Sequence, residues 1–166
     1  MKRYLYEPIR KDLQKKMVIL TGPRQVGKTW LAKALMAEFK SPQYLNFDSI
    51  ADAKIINHQS WPLQSDLLIL DEIHKKPQWK KFVKGAFDTR AGNQAILVTG
   101  SARLDTFRQS GESLAGRYFP MRLNPISVCE LTDGAKPEEA LTLLNRFGGF
   151  PEPFLSGSDQ EAARWR

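Results

Sequence analysis

Four side chains stand where phosphate chemistry needs them: Lys28, Thr29, Asp71 and Glu72. Lys28 and Thr29 close the segment Gly22-Pro23-Arg24-Gln25-Val26-Gly27-Lys28-Thr29, which fits G-x-x-x-x-G-K-[ST], the Walker A phosphate loop. Its glycines allow a tight turn that aims backbone N–H groups inward. A helix N-terminus behind the loop adds partial positive charge where a phosphate would sit. In that setting Lys28 reaches the β- and γ-phosphates and the Thr29 hydroxyl ligates Mg²⁺. The whole loop, Gly22 to Thr29, and Trp30 after it are read as the nucleotide-binding residues. The plain alternative is a glycine turn without a ligand, and eight matched positions in the right context argue against it.

Asp71 and Glu72 follow the apolar run Leu67-Leu68-Ile69-Leu70. Such a run fits a strand buried on both faces. An acid at the end of a buried strand is a weak signal alone. Lying 43 residues after Lys28, it reads as a Walker B pair. Asp71 would hold Mg²⁺ opposite Thr29, through water, and Glu72 would act as general base on the attacking water. His74 could sense the γ-phosphate or simply pack. A second apolar run, Ala95 to Val98, leads to Thr99-Gly100-Ser101. Thr99 or Ser101 is the expected γ-phosphate sensor. Arg103, Arg108 and Arg117 follow, and Arg117 is the expected arginine finger, acting in cis or on a neighbouring subunit.

The elements that must position these groups are legible as alternating strands and helices. Met17-Val18-Ile19-Leu20 is a strand before the loop, and Leu31, Ala32, Leu35, Met36 and Phe39 recur at helical spacing after it. Residues 3–16 read as a weak helix with Tyr4, Leu5, Ile9 and Leu13 on one edge; it could pack beside the loop and help cover the base, but a plain packing helix is the preferred reading. Ser41-Pro42 is a break, Gln43 to Phe47 a second strand, and Asp48 the expected cap of the next helix or a water-mediated neighbour of the metal. Residues 49–65 read as a short helix and a loop. Pro77 suits the first turn of a helix whose stripe is Trp79, Phe82, Val83, Ala86 and Phe87. Tyr118 to Leu123 reads as the fifth strand and Ile126 to Leu131 as a short helix. Asp133-Gly134 is a turn, and Pro137 opens a helix stopped by Gly148-Gly149. Phe150 to Pro153 reads as a rigid extended piece and Asp159 to Arg166 as a new helix. Strands alternating with helices predict a three-layer α/β fold, with the site at the carboxyl ends of the strands.

Composition narrows the class. The chain has 166 residues, 42% of them apolar, enough for one domain with a sizeable core. No apolar run approaches a membrane span, and the N-terminus lacks a signal-peptide stretch, so a cytoplasmic location is expected. Cys129 is the only cysteine, which excludes an intramolecular disulfide and a cysteine metal cluster. The net charge is +7, and residues 1–40 carry ten basic residues against three acidic ones while the remainder balances. That asymmetry suggests an anionic partner, nucleotide phosphates or nucleic acid, the alternative being an ordinary solvated surface on a basic protein. Lys80, Lys81 and Lys84 form a second basic face.

The segments GPRQVGKT, LLILDEIH, LVTGSARL, LAGRYFPMRLNPISVCEL and FGGFPEP occur in this order. The order resembles the AAA-type ATPase domain of a bacterial and archaeal family usually followed by a C-terminal domain of the DUF4143 type. It is also similar to archaeal ATPases related to signal-transducing NTPases. The resemblance covers residues 1–155, leaving 156–166 as the expected start of a truncated C-terminal region. It implies a P-loop core of the additional-strand type, with parallel sheet order 5-1-4-3-2. It implies ATP/ADP with Mg²⁺, and matches Arg117 to the family's glycine-arginine position. It also implies a missing C-terminal domain or a protein partner, and allows a homo-oligomer. His74 departs from the family's usual glutamine. The resulting expectation is ATP hydrolysis. The alternative is a nucleotide-gated switch or DNA-associated module with little intrinsic turnover.

Overall fold

The computed structural model describes residues 1–101, 114–131 and 136–165. Arg103, Arg108 and the Asp133-Gly134 turn lie outside the described residues. Five strands form one parallel sheet: β1 (Met17–Thr21), β2 (Pro42–Asn46), β3 (Leu67–Asp71), β4 (Ala95–Thr99) and β5 (Tyr118–Arg122). Their spatial order is β2-β3-β4-β1-β5, the expected 5-1-4-3-2 order counted from the other edge. β4 therefore lies between β1 and β3, pairing with both.

Each strand alternates its side chains between two cores. Val18, Leu20, Ile69 and Leu97 face α1 (Tyr6–Asp12) and α2 (Lys28–Leu35), where they meet Ile9, Leu31 and Leu35. Ile19, Leu68, Leu70 and Val98 face the opposite side, toward Ile56 of α3 (Ile50–His58) and Val83 of α4 (Trp79–Asp88). β1, β3 and β4 are buried at every position, as strands covered on both faces must be. The alternation also sends Asp71 and Thr99 to the α2 face, in step with Ile69 and Leu97.

Several local expectations are corrected. Ser49 caps α3, accepting from the Asp52 N–H at 3.3 Å, whereas Asp48 is one residue too early and pairs with Lys75 at 2.5 Å. Tyr4 is not on an apolar edge; it is 41% exposed and its hydroxyl donates to Arg122 O. Pro77 precedes α4, whose N-cap is Gln78 at φ 55°. After Leu35 the chain tightens into a 3-10 turn, Met36–Glu38. The short helix α5 starts at Val128 and runs to Leu131.

Phe150 to Pro153 is not extended. Pro151 opens the helix α7 (Pro151–Ser156). Proline fits a first helical turn, where no intrahelical N–H bond is needed and its fixed φ is already helical. The helices α6 (Pro137–Phe147), α7 and α8 (Asp159–Trp165) pack together, with Phe150 against Trp165 at 4.5 Å between ring centroids and Arg146 paired with Asp159.

The fold makes a direct stability prediction. Leu68 is fully buried at the sheet centre. Leu68→Ala should lower unfolding free energy by about 3 kcal/mol, the usual cost of a core leucine truncation. Urea denaturation followed by circular dichroism reads this directly, and a loss below about 1 kcal/mol would mean that the site collapses around the cavity.

Candidate nucleotide-binding site

The loop between β1 and α2 is shaped by its glycines. Gly22 lies at φ 149°, and a Cβ there would meet Leu123 O at 2.3 Å. The backbone just after β5 therefore forms the seat of the loop, and only glycine can rest on it. Gly27, at φ 94°, is the N-cap of α2. The turn also holds Gln25 at φ 63°, a left-handed conformation uncommon for a residue with a side chain. Arg24 and Gln25 are exposed at the rim, Pro23 is half-buried and Val26 is buried.

Lys28 is 7% exposed, and its Nζ donates to Gly22 O at 3.1 Å and to Pro23 O at 2.6 Å. Burial pushes its ammonium below the ordinary lysine value, with Arg24 adding to the lowering, against the opposing pull of Glu72 and Asp71. The ammonium is thus held by its own loop and poised within its curve.

Asp71 is the centre of the arrangement. It is 1% exposed and accepts three hydroxyl hydrogen bonds. Thr29 Oγ1 donates to Oδ2 at 2.8 Å, Tyr44 OH to the same oxygen at 2.6 Å, and Thr99 Oγ1 to Oδ1. Burial, followed by the bond to Asp71, raises the Tyr44 phenol above its ordinary value, keeping it protonated as a donor. Lys33 Nζ lies 4.7 Å from the Tyr44 ring centroid, so α2 covers this side.

Glu72 sits beside this cluster with a positive φ of 56°. For a non-glycine residue that conformation stores roughly 1 kcal/mol or more of strain, of the kind found at functional turns. It bends the chain out of the line of β3. Glu72 Oε2 is 3.5 Å from Lys75 Nζ and 3.7 Å from His74 Nδ1. Ser101 Oγ lies 3.3 Å from His74 Nε2. Of the two sensor candidates, Thr99 thus meets Asp71 and Ser101 meets His74.

Arg117 is not brought to this cluster. Its carbonyl accepts from Met17 N–H at the start of β1, and its Nε donates to Asp88 Oδ1 at 2.8 Å. The phosphate-loop end of β1 pairs with Arg122, five residues or ~16 Å further along β5. In this structure Arg117 and the Asp71 cluster therefore stand toward opposite ends of the sheet.

Beside the loop lies a recess of about 200 Å³, lined by Met1, Arg3, Gly27, Trp30, Pro151 and Leu155. Trp30 is 56% exposed at its edge. Met1 and Arg3 of the N-terminal segment thus border the loop, and α7 closes the far side. Oxygen ligands from Thr29 and Asp71 suit a hard cation such as Mg²⁺, which keeps much of its water and needs few protein groups. Among the described residues no group of three or more His, Cys, Asp or Glu gathers into a metal cluster.

Two contributors were missed in the sequence: Tyr44 and Arg3. Tyr44 carried a usable signal, since the expected order puts β2 beside β3 and places Tyr44 two residues before Asn46, the partner of Asp71.

A family model described as an AAA domain matches residues 14–132. Uncharacterized proteins of Mycobacterium tuberculosis and Mycobacterium bovis are each 31% identical over 154 residues, covering 90% of this chain. The chain spans about a third of their length (33%). Among solved structures, the Walker-type ATPase of Pyrococcus abyssi matches with TM-score 0.59 and 14% identity, over 96% of this chain and 69% of that one. The RuvB Holliday junction branch migration motor of Thermotoga maritima gives 0.56 and 19%, over 90% and 59%. The Aeropyrum pernix ORC1 protein, solved in complex with DNA, gives 0.57 and 13%, over 100% and 62%. At these identities the likeness is one of fold: an α/β P-loop domain.

The Asp71 cluster yields a second prediction. Tyr44→Phe removes a donor to a buried carboxylate while keeping the ring. It should destabilise the protein by about 1.5–3 kcal/mol, the range for a hydrogen bond to a charged group. A lowered urea midpoint at unchanged slope is expected, and an unmoved midpoint would show that water replaces the hydroxyl.

Proposed function

The chain belongs to the AAA domain family, and on that premise we propose that it binds ATP with Mg²⁺ and hydrolyses it to ADP and phosphate. The observation that carries this reading is the direct bond between Thr29 Oγ1 and Asp71 Oδ2, with Lys28 held in the glycine loop beside it. A strand-end aspartate meets the threonine that directly follows the loop lysine, 42 residues away along the chain. That convergence is what phosphate and cation binding require and what a plain glycine turn does not explain.

In this reading, Walker A amides from Gly22 to Thr29 and the Lys28 ammonium hold the phosphates. Thr29 and the Walker B Asp71 hold Mg²⁺, which supplies charge neutralisation at the phosphate oxygens. Glu72 accepts the proton of the water that attacks the γ-phosphorus, as the bond to the leaving ADP oxygen breaks. Thr99, bonded to Asp71, or Ser101, beside His74, senses the γ-phosphate. The Trp30 recess takes the base against an apolar wall. Arg117 enters only as a residue supplied to a neighbouring copy, which makes it a reason to test for a homo-oligomer.

A second reading, a nucleotide-gated switch with little intrinsic turnover, is favoured by two observations. Glu72 is engaged by Lys75 and His74, and no arginine finger reaches the site from Arg117 in the same chain. A C-terminal domain of the DUF4143 type beyond the unit 1–155, or a protein partner, would then read the nucleotide state. Nucleic acid is a further candidate partner, through the basic segment 1–16 or the Lys80–Lys84 face. Such binding would weaken steeply with salt. No helix of the described residues is long and apolar enough to cross a membrane. A cytoplasmic location is part of the proposal.

Steady-state hydrolysis and equilibrium binding of ATP test the reading. Lys28→Ala should abolish nucleotide binding. Glu72→Gln should keep binding and lose turnover by about 100-fold or more. Normal turnover in Glu72→Gln would remove the general-base assignment. Tight binding by the wild type without turnover would favour the switch.

A further inference from the structure

Arg3 lies near the start of the chain, yet its side chain is only 3% exposed. Its guanidinium makes three hydrogen bonds in three directions. Nε donates to Glu130 Oε1 at 2.7 Å, Nη1 to Val26 O at 2.7 Å and Nη2 to Asn124 O at 2.6 Å. The Glu130 side chain is 2% exposed. Its first oxygen also accepts from the Tyr4 N–H at 3.1 Å, and its second accepts from the Ser127 N–H at 3.0 Å. A buried ion pair this fully bonded is held firmly, because loss of either partner strands the other charge.

The bond to Val26 O acts on the phosphate loop. Val26 C=O and Gly27 N–H share one planar trans peptide, so they point in opposite directions. A cation that holds the carbonyl therefore aims the Gly27 amide away from itself and fixes the plane of that peptide. Arg3 does this from beside the loop, while its other two bonds reach the segment that follows β5. That segment is where the sequence is most distinctive, Asn124-Pro125-Ile126-Ser127, and the catalytic reading gives it no task. We propose that Arg3 is a positioning residue that clamps the phosphate loop through the Val26 carbonyl. Through Glu130 it ties nucleotide occupancy of the loop to helix α5. Lysine cannot substitute, since a single ammonium lacks the planar fork that serves three fixed acceptors.

The proposal rests on the ATP-binding reading, and the test separates the two. Calorimetric titration with Mg-ATP is made on wild type, Arg3→Lys and Glu130→Gln, beside thermal unfolding of each without nucleotide. Cys129, exposed and next to Glu130, is the only cysteine in the chain and serves as the reporter of α5. Its alkylation rate is measured with and without ATP.

In the wild type, ATP should change the Cys129 rate. Folded Arg3→Lys should bind ATP roughly ten-fold or more weakly, as expected for a lost charged hydrogen bond, and its loss in turnover should fall on KM. Glu130→Gln, which keeps Arg3 on Val26, should bind ATP better than Arg3→Lys but lose the response of Cys129. Wild-type affinity in folded Arg3→Lys would overturn the clamp. A wild-type Cys129 rate indifferent to bound ATP would overturn the tie to α5. If Arg3→Lys does not fold, Glu130→Gln decides: a wild-type Cys129 response there overturns the proposal, and its loss supports it. Absence of ATP binding by the wild type would overturn both this proposal and the reading beneath it.

Discussion

A buried carboxylate must be solvated by the protein, and in this fold that carboxylate is Asp71. Water no longer reaches it, so uncompensated charge would cost several kcal/mol. Three hydroxyls replace the water, from Thr29 in α2, Tyr44 in β2 and Thr99 in β4. One anion thereby joins the two neighbouring strands of β3 to the helix that follows the glycine loop. The requirement is local and strict, and it fixes where α2 begins relative to the sheet. Any slip of β2 against β3 by one residue would turn Tyr44 to the other face and leave Asp71 short of a donor.

The other side of the loop is fixed by backbone rather than by charge. Gly22 rests on Leu123 O, and the Leu123 N–H donates back to Thr21 O at 2.8 Å. β5 is an edge strand and half-open to solvent, yet its carboxyl end supports the loop. Its role in the sheet is modest and its role in the site is large. The same segment continues to Asn124 and Glu130, so the loop, the chain start and α5 share a single support.

Much of this was legible because the signals were periodic or motif-like. The apolar runs gave β1, β3 and β4, whose burial on both faces leaves the chain no other place for them. The glycine pattern and the strand-end acids mark the loop, Thr29 and Asp71 by local spacing alone. Less legible were features that depend on which strands are neighbours. Tyr44 matters only because β2 lies beside β3, and Arg3 only because residues 122–130 return to the loop. Local chemistry also misled in small ways. Asp48 and Ser49 are both good caps, and only the backbone conformation of Ser49 decides between them. Two prolines in Phe150-Pro151-Glu152-Pro153 suggested an extended piece, although both fall in a first helical turn where proline is at home. Arg117 carried the family's pattern, and sheet register alone places it at the far end of β5.

These supports bear on how tightly such a loop can hold a phosphate. Lys28 donates to Gly22 O and Pro23 O, so the loop already satisfies its own cation. On the proposed reading, a phosphate would exchange those bonds for its own, and the net gain would be the difference between two sets of hydrogen bonds rather than the full strength of either. What decides the difference is how little the loop must reorganise when it makes the exchange. A loop whose Gly22 is seated on Leu123 and whose Val26 carbonyl is held by Arg3 has few other shapes to adopt. On that reading its amides would be oriented before a phosphate arrives, which is the condition under which dipoles aimed at an anion contribute most. The lowered proton affinity of Lys28 follows from the same enclosure. Burial that disfavours the charged lysine in isolation also strengthens its attraction to a phosphate within the loop, because the low dielectric acts on both.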